Sequence, residues 1–255
     1  MPERPDRRHA RSQAGAGRVN PALDTRAADR PAIKPYYDHG GITIYHGDCR
    51  DILPALAWDV LISDVPYGIK ASSGRNGRYG DCRIAGDDDT ELRDWLLVQN
   101  GDRPALIFGS DRAPRPAGTK IRLIWDKGEH VGMGDLALPW KPNTEEIYVL
   151  GDGWRGRRRG SVLHHLAVAG TAYGRTWRWH PYEKPESLMV ELLQCSPPGT
   201  VLDPCMGSGS TLVAAKKLGL RAIGIELDER WCDAAVKRLS QEVLPLGLSS
   251  DNDLT

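Results

Sequence analysis

Thr200-Val-Leu-Asp-Pro-Cys-Met-Gly-Ser-Gly-Ser-Thr211 is the stretch on which the fold turns. Thr200–Leu202 is a short apolar run that predicts a buried strand, Gly207 and Gly209 form a glycine turn, and a helix is expected from Ser210 or Thr211. Glycines at such a turn let the backbone bend tightly and approach a ligand with no Cβ in the way. Beyond that helix and a second strand, Glu226 stands in Gly224-Ile-Glu-Leu-Asp. A strand-end carboxylate there can accept hydrogen bonds from both hydroxyls of a ribose. The order strand, glycine loop, helix, strand, acid predicts an adenosine-containing cofactor. A dinucleotide site would continue to a third glycine, but Leu212 holds that position, and the Gly-Lys-Ser/Thr of a phosphate loop is absent. Phosphate is therefore not the expected ligand. Asp203 has two readings: it faces the charged amino group of a methionine moiety, or it caps the glycine turn.

Toward the N-terminus, Asp64-Val65-Pro66-Tyr67 follows the apolar run Val60-Leu-Ile-Ser63. A ring and a carboxylate fixed at a strand end suit a planar base with an exocyclic amine, and an aromatic ring can stack on an extruded base. Such an amine is a poor nucleophile because its lone pair is delocalised into the ring. If the Asp64 carboxylate accepts one of its hydrogens and the Val65 carbonyl the other, the lone pair localises toward an electrophilic methyl.

Between and around these motifs, short apolar runs alternate with helical patterns, which predicts a mostly parallel sheet covered by helices on both faces. Strands are expected at Ile42–Tyr45, Val60–Ser63, Ala105–Phe108, Ile121–Trp125, Glu146–Leu150, Thr200–Leu202 and Ala222–Ile225. Helices are expected at Thr90–Asn100, Pro185–Cys195, Ser210–Lys217 and Glu229–Ser240. Residues 1–34 are rich in Arg, Ala, Pro, Asp and Gly and read as a disordered tail. Residues 35–240 form the expected α/β domain, and 241–255 a flexible tail. Within the domain, the glycine- and arginine-rich segment 151–178 reads as an insertion. It carries Arg155, Arg157, Arg158, Arg159, Arg175 and Arg178 against one acid, Asp152. A Gly/Ser-rich loop with Lys70, Arg75, Arg78 and Tyr79 lies beside the Asp64 motif and could close over a flipped base.

The 255 residues are 40% hydrophobic and 27% charged with a formal net charge of +0, so any attraction to a polyanion must come from local clusters. The five cysteines include no C-x-x-C pair, and His164 and His165 have no partners at metal-ligand spacing. Free thiols and no metal are expected. Charges occupy the N-terminal stretch where a signal peptide has its apolar core, and no apolar run is long enough to cross a bilayer. The expectation is a soluble, cytoplasmic protein.

With these residues assembled, the chain resembles the DNA amino-methyltransferases that make N6-methyladenine or N4-methylcytosine, in the circularly permuted arrangement called the β-class. The resemblance runs from Ile42 to Leu239. His46-Gly-Asp-Cys is similar to the family's opening segment, Asp64-Val-Pro-Tyr to its catalytic motif, and Ile124-Trp-Asp-Lys-Gly and Glu145-Glu-Ile-Tyr-Val to core strands. His180-Pro-Tyr-Glu-Lys-Pro is similar to its H-P-x-x-K-P segment, and Asp203-Pro-Cys-Met-Gly-Ser-Gly-Ser-Thr to its D-P-F-x-G-S-G-T-T loop. The resemblance implies a Rossmann-like S-adenosylmethionine-dependent methyltransferase fold. It also implies a catalytic set Asp64, Val65, Pro66 and Tyr67. The implied cofactor set is Asp48, His180, Lys184, Asp203, Pro204, Gly207, Ser208, Gly209, Ser210, Thr211 and Glu226. The family carries target recognition where 151–178 stands, so the six arginines of that segment are the expected contacts to double-stranded DNA. A monomer or homodimer is implied, with a cognate restriction endonuclease as a possible partner.

Two departures stand out. Val65 replaces the family's usual proline, which keeps the carbonyl acceptor and is expected to loosen the backbone that aims it. Cys205 replaces the usual aromatic residue. Asp64 at the first motif position resembles the adenine-modifying members, so N6 of adenine is the expected target. N4 of cytosine, or a catalytically impaired DNA-binding relative, are the alternatives.

Overall fold

Alternate residues of the central strands sort into two apolar layers, as the period-two geometry of a strand buried on both faces requires. The computed structural model describes residues 33–66, 89–129, 136–167, 179–180 and 182–241, all within the unit Ile33–Thr255. Its strands are β1 Tyr37–His39, β2 Ile42–His46, β3 Val60–Ser63, β4 Ala105–Gly109, β5 Ile121–Asp126, β6 Thr144–Leu150, β7 Val162–His164, β8 Thr200–Asp203 and β9 Arg221–Glu226. Its helices are α1 Cys49–Ile52, α2 Glu91–Asn100, α3 Glu186–Leu193, α4 Ser210–Lys217 and α5 Glu229–Ser240. One layer sets Val60, Ile62, Leu106 and Phe108 against Leu188 and Leu192 of α3, Leu212 of α4 and Ala235 of α5. The other sets Leu61, Ala105, Ile107 and Leu202 against Cys49 and Ile52 of α1 and Leu96 of α2. This is a Rossmann-like α/β fold with helices on both faces.

The sheet order is β1-β2-β9-β8-β3-β4-β6-β5-β7. β2, β9, β8, β3 and β4 run parallel, while β6 is antiparallel to both β4 and β5. The carboxyl ends of the five parallel neighbours therefore share one edge, where open α/β sheets bind ligands. The amino end of β6 shares that edge, because Glu146 lies opposite Gly109 and Leu150 opposite Ala105.

Four elements escaped the sequence reading: β1 and β7, each three residues long, the four-residue α1 and the 3-10 turn Leu53–Ala55 that follows it. Such short pieces carry no periodicity. α1 depends instead on Asp48, whose side chain accepts from the Arg50 N–H at 2.8 Å and caps the helix.

The segment 151–178 requires a correction. Val162–His164 within it is the sheet's edge strand β7, parallel to β5, so the segment is partly core rather than a single insertion. The chain leaving Leu150 emerges at the amino edge of β3, β4 and β8. There the Arg155 N–H donates to the Cys195 carbonyl at 2.8 Å, just after α3. Arg155 is exposed at that edge, opposite the ligand-binding one, and Arg157, Arg158 and Arg159 are exposed on the chain that follows it. Arg175, Arg178, Tyr67 and the loop holding Lys70, Arg75, Arg78 and Tyr79 lie outside the described residues. So do 1–32 and 242–255, nearly all of both expected tails.

Candidate active site

At the carboxyl edge the loops enclose a cavity of about 970 Å³, at the upper end of the usual size for a small-molecule site. The chain reaches it at Asp48 after β2, at Asp64, Val65 and Pro66 after β3, and at Asp203 and Glu226 closing β8 and β9. His180 and Lys184 enter from the segment leading into α3. Thus the sheet brings together residues that the sequence separates widely.

The glycine loop joins β8 to α4. Gly207 has φ +52°, and a Cβ on it would stand 3.8 Å from the His180 ring, so a side chain there would be strained in backbone rather than crowded. Gly209, at φ +77°, does not face the cavity. A Cβ on it would stand 2.9 Å from the Cβ of Ala235, so this glycine serves the contact between α4 and α5. Pro204, Ser208, Ser210 and Thr211 line the cavity. Asp203 accepts from the Cys205 N–H at 3.2 Å and from the Thr211 hydroxyl at 2.5 Å. Of its two readings, the carboxylate caps the turn, and it does so while lining the cavity. Burial pushes its pKa up to about 7, against those two donors.

Glu226 accepts from the Gly207 and Asp228 N–H groups, each at 2.9 Å. Burial raises its pKa as well. The loop is held from behind by Arg238 of α5, which donates to the Ser208 carbonyl and hydroxyl and pairs with Glu183 at 3.0 Å. His180 packs edge-on against Trp231, ring centroids 4.4 Å apart, and its Nδ1 accepts from the Tyr182 N–H at 3.2 Å. Burial, then the nearby Lys184 and Arg238 cations, lower its pKa to about 4, so the ring is neutral near pH 7.

Lys184, expected in the cofactor set, lines the same cavity as the glycine loop. Its ammonium lies 2.6 Å from Asp64 Oδ2 and 3.3 Å from Glu145 Oε2, over the Phe108 ring at 5.0 Å. Burial alone would lower its pKa, but the two carboxylates more than offset this and raise it. Val65 also differs from expectation. Its side chain is 1% exposed within the layer that holds Cys49, Ile52 and Leu61. An apolar anchor thus fixes the backbone that a proline ring would have stiffened.

Sequence reading missed Glu145, Glu183, Trp231 and Arg238 as parts of this site. Glu145 and Glu183 lie inside the segments quoted above, Glu145-Glu-Ile-Tyr-Val and His180-Pro-Tyr-Glu-Lys-Pro, but their roles, like those of Trp231 and Arg238, exist only through contacts across the sheet and between helices. His164 and His165, read as having no partners at metal-ligand spacing, bond to the carboxylates of Asp126 at 3.0 Å and Glu191 at 2.7 Å.

Residues 109–237 match the family described as DNA methylase, with N6 and N4 members. The type II methyltransferase M2.DpnII of Streptococcus pneumoniae is 43% identical over 256 residues, covering 82% of this chain and 93% of that protein. The type II methyltransferase M.ScaI of Streptomyces caespitosus is 27% identical over 286 residues, covering 88% and 90%. The solved PvuII DNA methyltransferase, described as cytosine-N4-specific, has the same fold with a TM-score of 0.62 at 13% identity, over 84% of this chain and 91% of that one.

Proposed function

The chain belongs to the DNA methylase family that modifies the N6 or N4 amino group of a base, and from that premise we propose that it methylates N6 of adenine in duplex DNA. The observation that carries this reading is Asp64, which lines the cavity that also holds the glycine loop and Glu226.

The cavity's residues fit S-adenosylmethionine, which supplies an electrophilic methyl on a sulfonium. Glu226 and Asp48 offer acceptors where ribose and adenine would lie, and Asp203 offers a carboxylate for the ammonium of the methionine end. The uncharged loop backbone, with no lysine on it, suits a nucleoside better than a phosphate.

For the transfer, Asp64 and the Val65 carbonyl accept the two hydrogens of the target amine, and the lone pair localises on nitrogen. The base must leave the duplex to reach them. Tyr67 supplies the ring on which it stacks. The Lys184 ammonium engages Oδ2 and so fixes the plane of the Asp64 carboxylate. The apolar anchor of Val65 does the same for the carbonyl. The names of the relatives support a place in a restriction-modification pair, with an endonuclease reading the same site.

The test is incubation with methyl-labelled cofactor and unmodified duplex DNA, followed by digestion to nucleosides and mass spectrometry. N6-methyldeoxyadenosine is the expected product. N4-methyldeoxycytidine would overturn the choice of base, and label in neither nucleoside would overturn the enzyme reading.

A further inference from the structure

We infer that Glu145 is a positioning residue for methyl transfer, acting on Asp64 through Lys184; the inference rests on the function proposed above. Glu145 is the second residue of β6 and reaches the active edge because that strand runs against its neighbours. Among the described residues, four charges alternate there. Lys127 lies 2.6 Å from Glu145 Oε1, Glu145 Oε2 lies 3.3 Å from the Lys184 ammonium, and that ammonium lies 2.6 Å from Asp64 Oδ2.

The two distances at Lys184 differ in a way that matters. The shorter contact is a directed, charge-assisted hydrogen bond to Asp64. At the longer one Glu145 Oε2 is buried and makes no well-aligned hydrogen bond, so its hold on the ammonium is chiefly that of its charge. Phe108 and Trp125 wall the ammonium at 5.0 and 5.9 Å. The side chain of Lys184 is 10% exposed, so water screens these charges little. Lys184 is therefore shared between two carboxylates. Glu145 limits how far it is drawn onto Asp64, and Lys127 in turn limits how far Glu145 draws it away. The four charges cancel, which is the condition for keeping them in a dry site.

Removing the charge of Glu145 leaves two cations facing one carboxylate. Lys184 then turns wholly to Asp64 and competes with the target amine for its oxygens. Removing Lys127 has a different cause and the same readout, since Glu145 is freed to pull Lys184 off Asp64. Neither change touches the glycine loop, so cofactor binding is spared.

The experiment is steady-state methylation of duplex DNA by wild type, Glu145→Gln and Lys127→Met, with cofactor affinity measured by calorimetry and folding checked by thermal melts. Glu145→Gln is expected to lower kcat by about 10- to 100-fold and Lys127→Met by at least about threefold, with cofactor Kd within about twofold in both. Glu145→Asp, which keeps the charge, is expected to recover most of the loss. An unchanged kcat in both lysine-network variants would overturn the inference, as would a fall in kcat matched by an equal loss of cofactor affinity. If Glu145→Gln does not fold, Lys127→Met alone decides between these outcomes. Wild type is the control that separates the two claims. If it methylates no DNA the proposed function fails, and if it turns over while the variants equal it, only the role of Glu145 fails.

Discussion

Arg238 donates to Ser208 twice, to the carbonyl at 3.0 Å and to the hydroxyl at 2.9 Å, so the last turn of α5 holds the centre of the glycine loop. The same guanidinium pairs with Glu183 at 3.0 Å, and the two side chains are 7% and 8% exposed. Removing one partner of such a buried pair strands the other, at a cost of about 3–5 kcal/mol. Arg238→Met is therefore expected to lower the melting temperature and weaken cofactor binding together. Replacing both partners with apolar residues should recover stability but not affinity, because the loop still lacks its donor. Differential scanning fluorimetry with and without cofactor separates the two effects.

Asp203 gives the site a pH signature. Its carboxyl is pushed up to about 7 by burial, well above the ~3.9 of an unfolded aspartate. The native state thus holds a proton that the unfolded state has released across that window, so the contribution of Asp203 to stability falls as pH rises through it. An ammonium placed against Asp203 favours the ionised form. The expected outcome is that Asp203→Asn gains in melting temperature relative to wild type as pH rises from about 4 to 7. In the same comparison, cofactor affinity of wild type should rise through pH 7 while that of the variant stays flat. A variant whose stability tracks wild type across this range would contradict the assignment.

What was legible in the sequence follows from range. The strands from Val60, Ala105 and Thr200 are apolar runs bounded by breakers, and the glycine loop is a local motif, so both could be read without coordinates. β7 could not, because three residues at a sheet edge have no period to detect. The cluster Arg155–Arg159 was legible as charge but not as position. Its place depended on the direction of β6, which is set by pairing with β4 and β5. Lys184 was legible as a site residue from its motif. Its partners were not, since Asp64 and Glu145 meet it only where the loop after β3, the start of β6 and the segment before α3 converge.

Gly207 and Gly209 look equivalent in the sequence and are not. Both need positive φ, but only Gly209 has a neighbour within clashing distance, the Cβ of Ala235 at 2.9 Å. Gly207→Ala adds backbone strain of about 1 kcal/mol and narrows the space before His180. Gly209→Ala adds overpacking of about 1–3 kcal/mol to the same strain. Chemical denaturation should therefore rank Gly209→Ala as the less stable, while cofactor titration should rank Gly207→Ala as the weaker binder among folded variants. The reverse order in either assay would refute the division of labour.

The face that meets DNA follows from the sheet's direction. On the proposed function, a base entering the cavity comes from the carboxyl edge, whereas Arg155, Arg157, Arg158 and Arg159 lie on the chain leaving the amino edge and line no part of that cavity, with Arg159 already paired to Glu191 at 3.2 Å. The connection from β5 to β6 stands at the carboxyl edge instead. Its stem is fixed by the Lys127–Glu145 pair at 2.6 Å, and Leu136, Leu138 and Trp140 on it are 80%, 59% and 80% exposed. Apolar side chains displayed beside a site proposed to take an extruded base are suited to fill or prop the opened stack, and stacking on one aromatic ring contributes about 1–3 kcal/mol. Trp140→Ala is thus expected to weaken duplex binding by about tenfold with cofactor affinity unchanged. Alanine at all four of Arg155, Arg157, Arg158 and Arg159 is expected to leave both affinity and its salt dependence nearly as they were, since those side chains release no counterions from the bound duplex. Fluorescence anisotropy across a salt series distinguishes the cases. A shallower salt slope in the arginine variant would mean that DNA wraps to the far edge of the sheet.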